Sequence, residues 1–483
     1  MPPSLDAVVV GAGPNGLAAA LVLADAGLAV QVLEANATIG GGLRTAEITL
    51  PGFRHDLCAA VHPLARSSPF FRWARLEAHG LAWCEPPVPL AHPLDGGRAA
   101  VLERDLSATA AGLEGDRRAY TRLVRPFVER YDALAAAVLG PIGRRHSHPA
   151  LMARFGPLAL APAEALARVF FTGPPARALF AGSAAHAALP LSRLGTASFG
   201  LLLGAAGHAV GWPVARGGSQ AIADALAARL AGLGVTIAVD TPIDGFDQLP
   251  AARAYLFDVG PEALLGIAGD RLGGRYRRQL GRFRRGAAAF KLDYALSEPV
   301  PWAAAAARRA GTLHLGGPIE AIAAAEDDVA RGRPPRRPFV IAAQPCVADP
   351  SRAPAGRHTL WAYAHVPRGC DVDLTAAIED QIERFAPGFR DTILARTVTP
   401  PRAIAERNRN DVGGDISGGA HDGRQLLLRP APRWNPYATP DPRIFLCSAS
   451  TPPGAGVHGM GGWFAARTVL RRVFGRAPVD GAA

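Results

Sequence analysis

The chain has 483 residues, of which 49% are hydrophobic and 19% charged, a composition that excludes intrinsic disorder and a length that exceeds one simple core. The net charge of +11 is carried almost wholly by arginine, scattered or in short clusters such as 275–278 and 282–285, which argues against nucleic acid as a partner and leaves an acidic partner or peripheral membrane contact open. Five widely spaced cysteines make neither a CxxC redox pair nor a zinc pattern, so reduced thiols and no metal site are expected.

The first element is a short β-branched run, 7–10, that feeds into Gly11-x-Gly13-x-x-Gly16. Gly11 permits a tight turn, Gly13 lets a pyrophosphate approach the backbone, and Gly16 lets the following helix pack close to the strand. The helix expected over 16–26 directs its free N–H groups at that phosphate, Gly27 ends it, and 28–33 reads as a second strand. Glu34 follows 18 residues beyond Gly16, where a carboxylate accepts hydrogen bonds from a ribose. Together these predict a dinucleotide-binding βαβ unit. No basic segment followed by an apolar run precedes it, so a cytoplasmic setting is expected.

A second glycine cluster, Gly40-Gly41-Gly42-Leu43-Arg44, is placed to wrap the phosphates from the other side, with Arg44 adding a charge-assisted bond. At this point the chain resembles the FAD-dependent family that includes amine oxidases and phytoene desaturases. The words GFRHDLCAAVHPL (52–64) and SPFF (68–71) are similar to the branch named for the pyridine nucleotide-disulfide oxidoreductase domain-containing proteins. Residues 47–57 read as a strand interrupted by a turn at Pro51-Gly52.

From 73 to about 210, Ala/Leu/Arg stretches with helical spacing, broken by prolines, predict a helical cap, either plain core or the wall of an apolar tunnel. His186 and His208 within it read as satisfied core residues. The longest uncharged run, 194–215, reads as a buried helix entering a turn, because its glycines and Pro213 disfavour a membrane span. Ser219 is a candidate N-cap for a helix over 220–230, followed by strands at 235–239 and 254–259. The resemblance implies that this part returns to the cofactor domain, with a strand near Ile243 against the adenine end.

Beyond 284 the alternation has period two. Strands are expected at 287–296, 338–343, 358–365 and 392–399, forming an antiparallel sheet, with a surface loop at 330–338. Lys291 is the only lysine in the chain. A compact ammonium retained where arginine serves everywhere else points to a specific requirement. In the resembled amine oxidases a lysine on the corresponding strand holds a water at flavin N5; the other reading pairs Lys291 with Asp293 on the same face.

The C-terminal block contains Ser448-Ala449 and Gly454-x-Gly456-Val457-His458-Gly459-Met460, a second GxGxxG after a strand. Only 24 residues follow Gly459, too few for another complete nucleotide-binding unit. The resemblance places this turn and the helix after it at the flavin N1–C2=O edge, where a helix N-terminus favours the reduced form. His458, His421, His55 and His62 are acid/base candidates, with His458 the best placed. Trp434, Tyr437 and Trp463 are candidates for an aromatic wall.

The fold class implied is α/β: a discontinuous Rossmann-type FAD-binding domain (1–70, 213–275 and 430–483) and a substrate domain of antiparallel sheet with helical cap (71–212 and 276–429). The resemblance assigns non-covalent FAD to Gly11, Gly13, Pro14, Asn15, Gly16, Glu34, Ala35, Gly41, Gly42, Leu43, Arg44, Ile243, Ser448, Ala449, Gly456, Val457, His458, Gly459 and Met460, and catalysis to Lys291 and His458. It implies hydride removal from a lipophilic small molecule to leave a double bond, with reoxidation by oxygen or a quinone. An amine or amino-acid oxidase is the nearest alternative, and an FAD-containing interaction protein the alternative of another class. Oligomeric state is left open.

Overall fold

A computed structural model describes residues 5–141 and 147–477. The run that opens the chain becomes the middle strand of a five-stranded parallel sheet, ordered Ile444–Leu446, Ala252–Phe257, Leu5–Val10, Val30–Leu33, Thr236–Ala238. Parallel strands covered on both faces are apolar throughout, and Ala7, Val8, Val9 and Val10 are all buried. The register pairs Val10 with both Leu33 and Phe257, so the residues after each strand, Gly11, Glu34 and Asp258, emerge side by side at the carboxyl edge. That edge is where open α/β sheets bind ligands.

The helix Pro14–Asp25 after the glycine turn and the helix Met460–Val473 at the end of the chain pack together on one face of this sheet. They approach so closely that a Cβ on Gly462 would stand 1.8 Å from the Asn15 carbonyl oxygen. The glycine there permits the crossing.

The second sheet has seven strands, ordered Ile393–Thr399, Ala288–Leu296, His358–Val366, Val340–Ala343, Ala310–Leu315, Val88–Leu94, Arg98–Leu102. It corrects two expectations. The sheet is mixed, because Ala310–Leu315 pairs parallel with Val88–Leu94. The hairpin Val88–Leu94/Arg98–Leu102 lies inside the stretch read as helical. Pro89 and Pro93 remove two donors from an inner strand, the feature that ordinarily argues against a strand.

The cap itself is helical, including Arg117–Val128, Pro149–Leu160, Pro174–Ala184 and the buried Ala197–Ala209. No helix among the described residues is long and apolar enough to cross a membrane. Three local readings change. Residues 47–57 form no strand of their own beyond a two-residue pairing of Thr45–Ala46 with His55–Asp56. Ser219 does not cap its helix; its hydroxyl donates to the Ala59 carbonyl (2.7 Å) and meets His62 Nε2 (2.8 Å). Ile243 lies in a loop, packed in the core with Val8, Val10 and Leu33.

Candidate active site

At the sheet edge Gly11 has φ +99°, and a Cβ there would lie 2.9 Å from the Asp258 carbonyl oxygen. A Cβ on Gly16 would lie 2.0 Å from the Gly11 oxygen, so the turn closes only with glycine at that position. Glu34 is buried and held by the motif it serves. Its Oε2 accepts from the Ala12 N–H (2.8 Å), and its Oε1 accepts from the Asn36 backbone N–H (2.9 Å) and side-chain amide (2.7 Å). Ala35 is exposed beside it. Pro14 begins the helix, and Asn15 Oδ1 accepts from the Gly461 N–H (3.2 Å), tying the two helix N-termini together.

The second glycine cluster packs directly on the first. The Gly40 N–H donates to the Ala12 carbonyl (2.8 Å), and a Cβ on Gly41 would lie 3.1 Å from the Gly13 Cα. Leu43 is buried beneath the turn Gly41–Leu43. Arg44 Nε donates to the Gly41 carbonyl (3.1 Å), and its Nη2 donates to the Arg407 carbonyl.

Sequence reading missed the residue that occupies the helix N-terminus. Asp258 Oδ2 accepts from the Gly16 N–H (2.8 Å), with a carboxylate where an anion is favoured. Burial, against that hydrogen bond, pushes its pKa up to about 7. An acid at the carboxyl end of the fourth parallel strand in chain order, in Phe257-Asp258-Val259-Gly260-Pro261, is the signal that marks it.

Between the two sheets Gly41, Gly42 and Arg44 share a narrow cleft of about 30 Å³ with Lys291, Trp361, Tyr363 and Asp411. The register explains the grouping. Lys291 pairs with Tyr363 and Asp293 with Trp361 across neighbouring strands, so all four side chains stand on one face. Lys291 donates to Asp293, and its Nζ lies 5.6 Å from the centre of the Trp361 ring. The ion pair inferred from alternation is therefore present, and the lysine also lines the cleft.

The pair is part of a buried network reaching back to the 45–62 segment. Asp293 Oδ1 faces His55 Nδ1 at 3.6 Å, and His55 Nε2 meets Thr49 Oγ1 at 2.8 Å. Burial, followed by Lys291 and Arg352, holds His55 down at about 3, so the imidazole is neutral. Burial lowers the Lys291 pKa and raises that of Asp293, each opposed by the partner's charge. Asp56 accepts from Thr45 Oγ1 (2.7 Å), the Ser219 N–H (2.8 Å) and Arg352 (2.8 Å). Burial raises its pKa, but Arg352 and those bonds keep it below the usual carboxylate value.

Asp411 is the second residue missed. It lines the cleft, accepts from Asn408 Nδ2 (3.1 Å), and is raised to about 7 by burial and by Asp415. Its loop spans to the sheet edge, where Asn410 Nδ2 donates to the Asp258 carbonyl (3.0 Å).

The C-terminal turn meets the glycine motif but does not line this cleft. Met460 N–H donates to His458 Nδ1 (3.1 Å), which leaves Nε2 to donate to the Gly454 carbonyl (3.1 Å). Both ring nitrogens therefore brace the turn, and burial holds the ring neutral, with a pKa near 4. Ser68 Oγ donates to the His458 carbonyl (2.5 Å). The first two amides of the last helix, Met460 and Gly461, already have side-chain acceptors. Ser448 Oγ pairs with Ser450 Oγ (2.7 Å), Ala449 packs against Gly418, and Val457 is partly buried.

The aromatic wall is not formed. Trp434 is wholly exposed, Tyr437 stacks on Phe464, and Trp463 packs edge-on against Trp73. His62 is bonded to Ser219, His421 is buried against Phe199, His208 meets the Tyr120 hydroxyl (2.9 Å), and His186 meets His314 (2.9 Å). All five cysteines are free, and no metal-binding group of His, Cys, Asp or Glu occurs among the described residues.

Residues 9–75 match the model of an NAD(P)-binding Rossmann-like domain. The chain is 25% identical to the mouse (Mus musculus) pyridine nucleotide-disulfide oxidoreductase domain-containing protein 2, over 97% of this chain and 94% of that protein. It is 36% identical to a component polypeptide of the limonene dehydrogenase of Castellaniella defragrans over 26% of this chain and 22% of that polypeptide. Among solved structures, putrescine oxidase bound to putrescine superposes with a TM-score of 0.63 at 16% identity, covering 98% of this chain and 99% of that one, a likeness of fold.

Proposed function

We propose that this homologue of pyridine nucleotide-disulfide oxidoreductase domain-containing protein 2, built on an amine-oxidase-type fold, is an FAD-dependent dehydrogenase that removes hydride from a C–H bond of a neutral, lipophilic substrate and leaves a double bond. The residues fit the cofactor. Gly13 and Gly41 oppose each other with no Cβ between them, a cradle for a pyrophosphate, and the Glu34 carboxylate stands at the tip of the second strand for a ribose. FAD, when bound, supplies the hydride acceptor, and oxygen or a quinone reoxidises it.

The observation that carries this reading is the cleft that joins the second glycine cluster and Arg44 to the only lysine of the chain. Lys291 gives one of its three N–H donors to Asp293 and keeps the others for the cleft, where they would hold a water oxygen beside a bound flavin. Asp293 fixes the ammonium in place. Leu57, Ile404, Trp361 and Tyr363 provide apolar walls that position a substrate carbon and exclude water.

The alternative is an amine oxidase, favoured by the fold shared with putrescine oxidase and by the edge-on Trp361–Tyr363 pair, whose ring centres are 5.1 Å apart. Against it, Lys291 already stands over Trp361, and with Arg44 and Arg407 it sets three cations against the two acids Asp293 and Asp411, an excess that disfavours an alkylammonium. The partial likeness to the limonene dehydrogenase component is in keeping with a hydrocarbon substrate. The test is anaerobic mixing of the FAD-loaded protein with a panel of neutral terpenes and lipids and a panel of amines. Bleaching of the flavin by members of the first panel alone is expected; bleaching by amines alone overturns the reading.

A further inference from the structure

We propose that a groove on the outer face of the cap is a second binding site, for a phosphate-bearing ligand. The groove encloses about 490 Å³, a volume in the range of small-molecule sites, and shares no lining residue with the cofactor cleft. Its walls are Arg117–Val128, Pro149–Leu160 and the short helix Leu106–Gly112. Five arginines line it and no acid does: Arg117, Arg118, Arg122, Arg125 and Arg154.

Arg118, Arg122 and Arg125 are spaced i, i+4, i+7 and stand on one helix face, and Arg154 reaches across from the facing helix, where its Nη2 donates to the Arg122 carbonyl (3.2 Å). All five are exposed, and none forms an ion pair among the described residues. What singles them out is that they line one groove together, without an acid among its walls. Several helix arginines elsewhere are paired with acids four residues away, as in Glu164–Arg168, Asp327–Arg331 and Arg402–Glu406. Here the residue four positions after Arg118 is another arginine, an arrangement that repels itself until an anion enters.

Guanidinium forks bind phosphate oxygens in pairs, and several forks converging on one concavity suit a phosphomonoester or diphosphate better than a singly charged carboxylate. The phosphate is carried by a soluble small molecule or by a lipid headgroup, and the experiment separates the two.

The full-length protein is saturated with FAD, so that the glycine turn is filled, and titrated with inorganic pyrophosphate by calorimetry at low salt. In parallel it is sedimented with phosphatidylcholine vesicles with and without phosphatidic acid. Saturable pyrophosphate binding that weakens with added salt is expected, with about a tenfold loss for each of Arg118→Gln and Arg122→Gln. Both positions are exposed, and an unchanged flavin spectrum and melting temperature report an intact fold. Binding only to phosphatidic-acid vesicles, lost in the same variants, supports the site with a headgroup as its ligand. Binding of neither probe, or binding that both variants retain in full, overturns the proposal; the comparison with the variants decides this whether or not FAD binds.

Discussion

The chain spells GxGxxG twice, each time between a strand and a helix, and the two copies differ in what approaches them. At Gly11, Gly13 and Gly16 the nearest groups to an added Cβ are main-chain oxygen and the Asp258 carboxylate. The turn presents N–H groups to a negative charge. At Gly454, Gly456 and Gly459 the nearest groups are the side chains of Arg429, Leu64 and Phe70, at 2.7, 2.8 and 2.4 Å. There the chain fills its own turn. The same local pattern faces a carboxylate in one place and packed side chains in the other, because a motif specifies backbone shape and the surrounding fold specifies what lies against it.

The largest break in this comparison is expected from Gly16→Ala. The new methyl meets fixed backbone, so the turn must open, costing about 1–3 kcal/mol or more and abolishing FAD retention on gel filtration. Gly459→Ala meets the buried Phe70 ring, a side chain rather than fixed backbone, at a φ of +67°; it lowers the melting temperature by a similar strain but leaves FAD bound. Retention of FAD by the first variant and its loss by the second would reverse the assignment of the two turns.

Lys291→Met comes next. It leaves Asp293 buried and unpaired, at about 3–5 kcal/mol, so the informative variant is Lys291→Met combined with Asp293→Asn. That protein is expected to keep FAD and to reduce it about 10²–10⁴-fold more slowly in stopped flow. An unchanged reductive half-reaction removes Lys291 from the mechanism.

The third prediction concerns pH. Asp258 and Asp411 are both raised from 3.8 to about 7 when folded, so the folded protein binds more protons than the unfolded chain in that window. Their contribution to stability is complete below pH 3.8 and is lost as pH rises through about 7. The melting temperature of the cofactor-free protein should fall over this interval, each group contributing at most about 1.4 kcal/mol per pH unit. Asp258→Asn should remove its share of the slope and make FAD affinity less dependent on pH, since a neutral group then faces the pyrophosphate on both sides of pH 7. A slope identical to that of the wild type rejects the linkage.

The smallest effect is expected at His458. Its ring accepts from Met460 and donates to Gly454, bonds worth about 1 kcal/mol each, and has no nitrogen free for substrate. His458→Gln should lower stability modestly and leave the pH profile of flavin reduction unchanged; a lost ionisation in that profile would restore it as an acid/base group.

The features legible in the order of residues are local: the strand that ends at Val10, the turn at Gly11–Gly16, the acid at Glu34, and the alternation that puts Lys291 beside Asp293. Each depends on neighbours within one turn, one pleat or one βαβ unit, and so is written in spacing. The rest came from contacts between distant parts of the chain. Asp258 reaches Gly16 across 242 residues, and Asp56 meets Arg352 across 296. The Pro89/Pro93 strand was concealed because its partners at 98–102 and 310–315, rather than its own residues, supply the order that makes it a strand. Periodicity records which face of an element is buried. It does not record against what, and the cleft is made of that second kind of information.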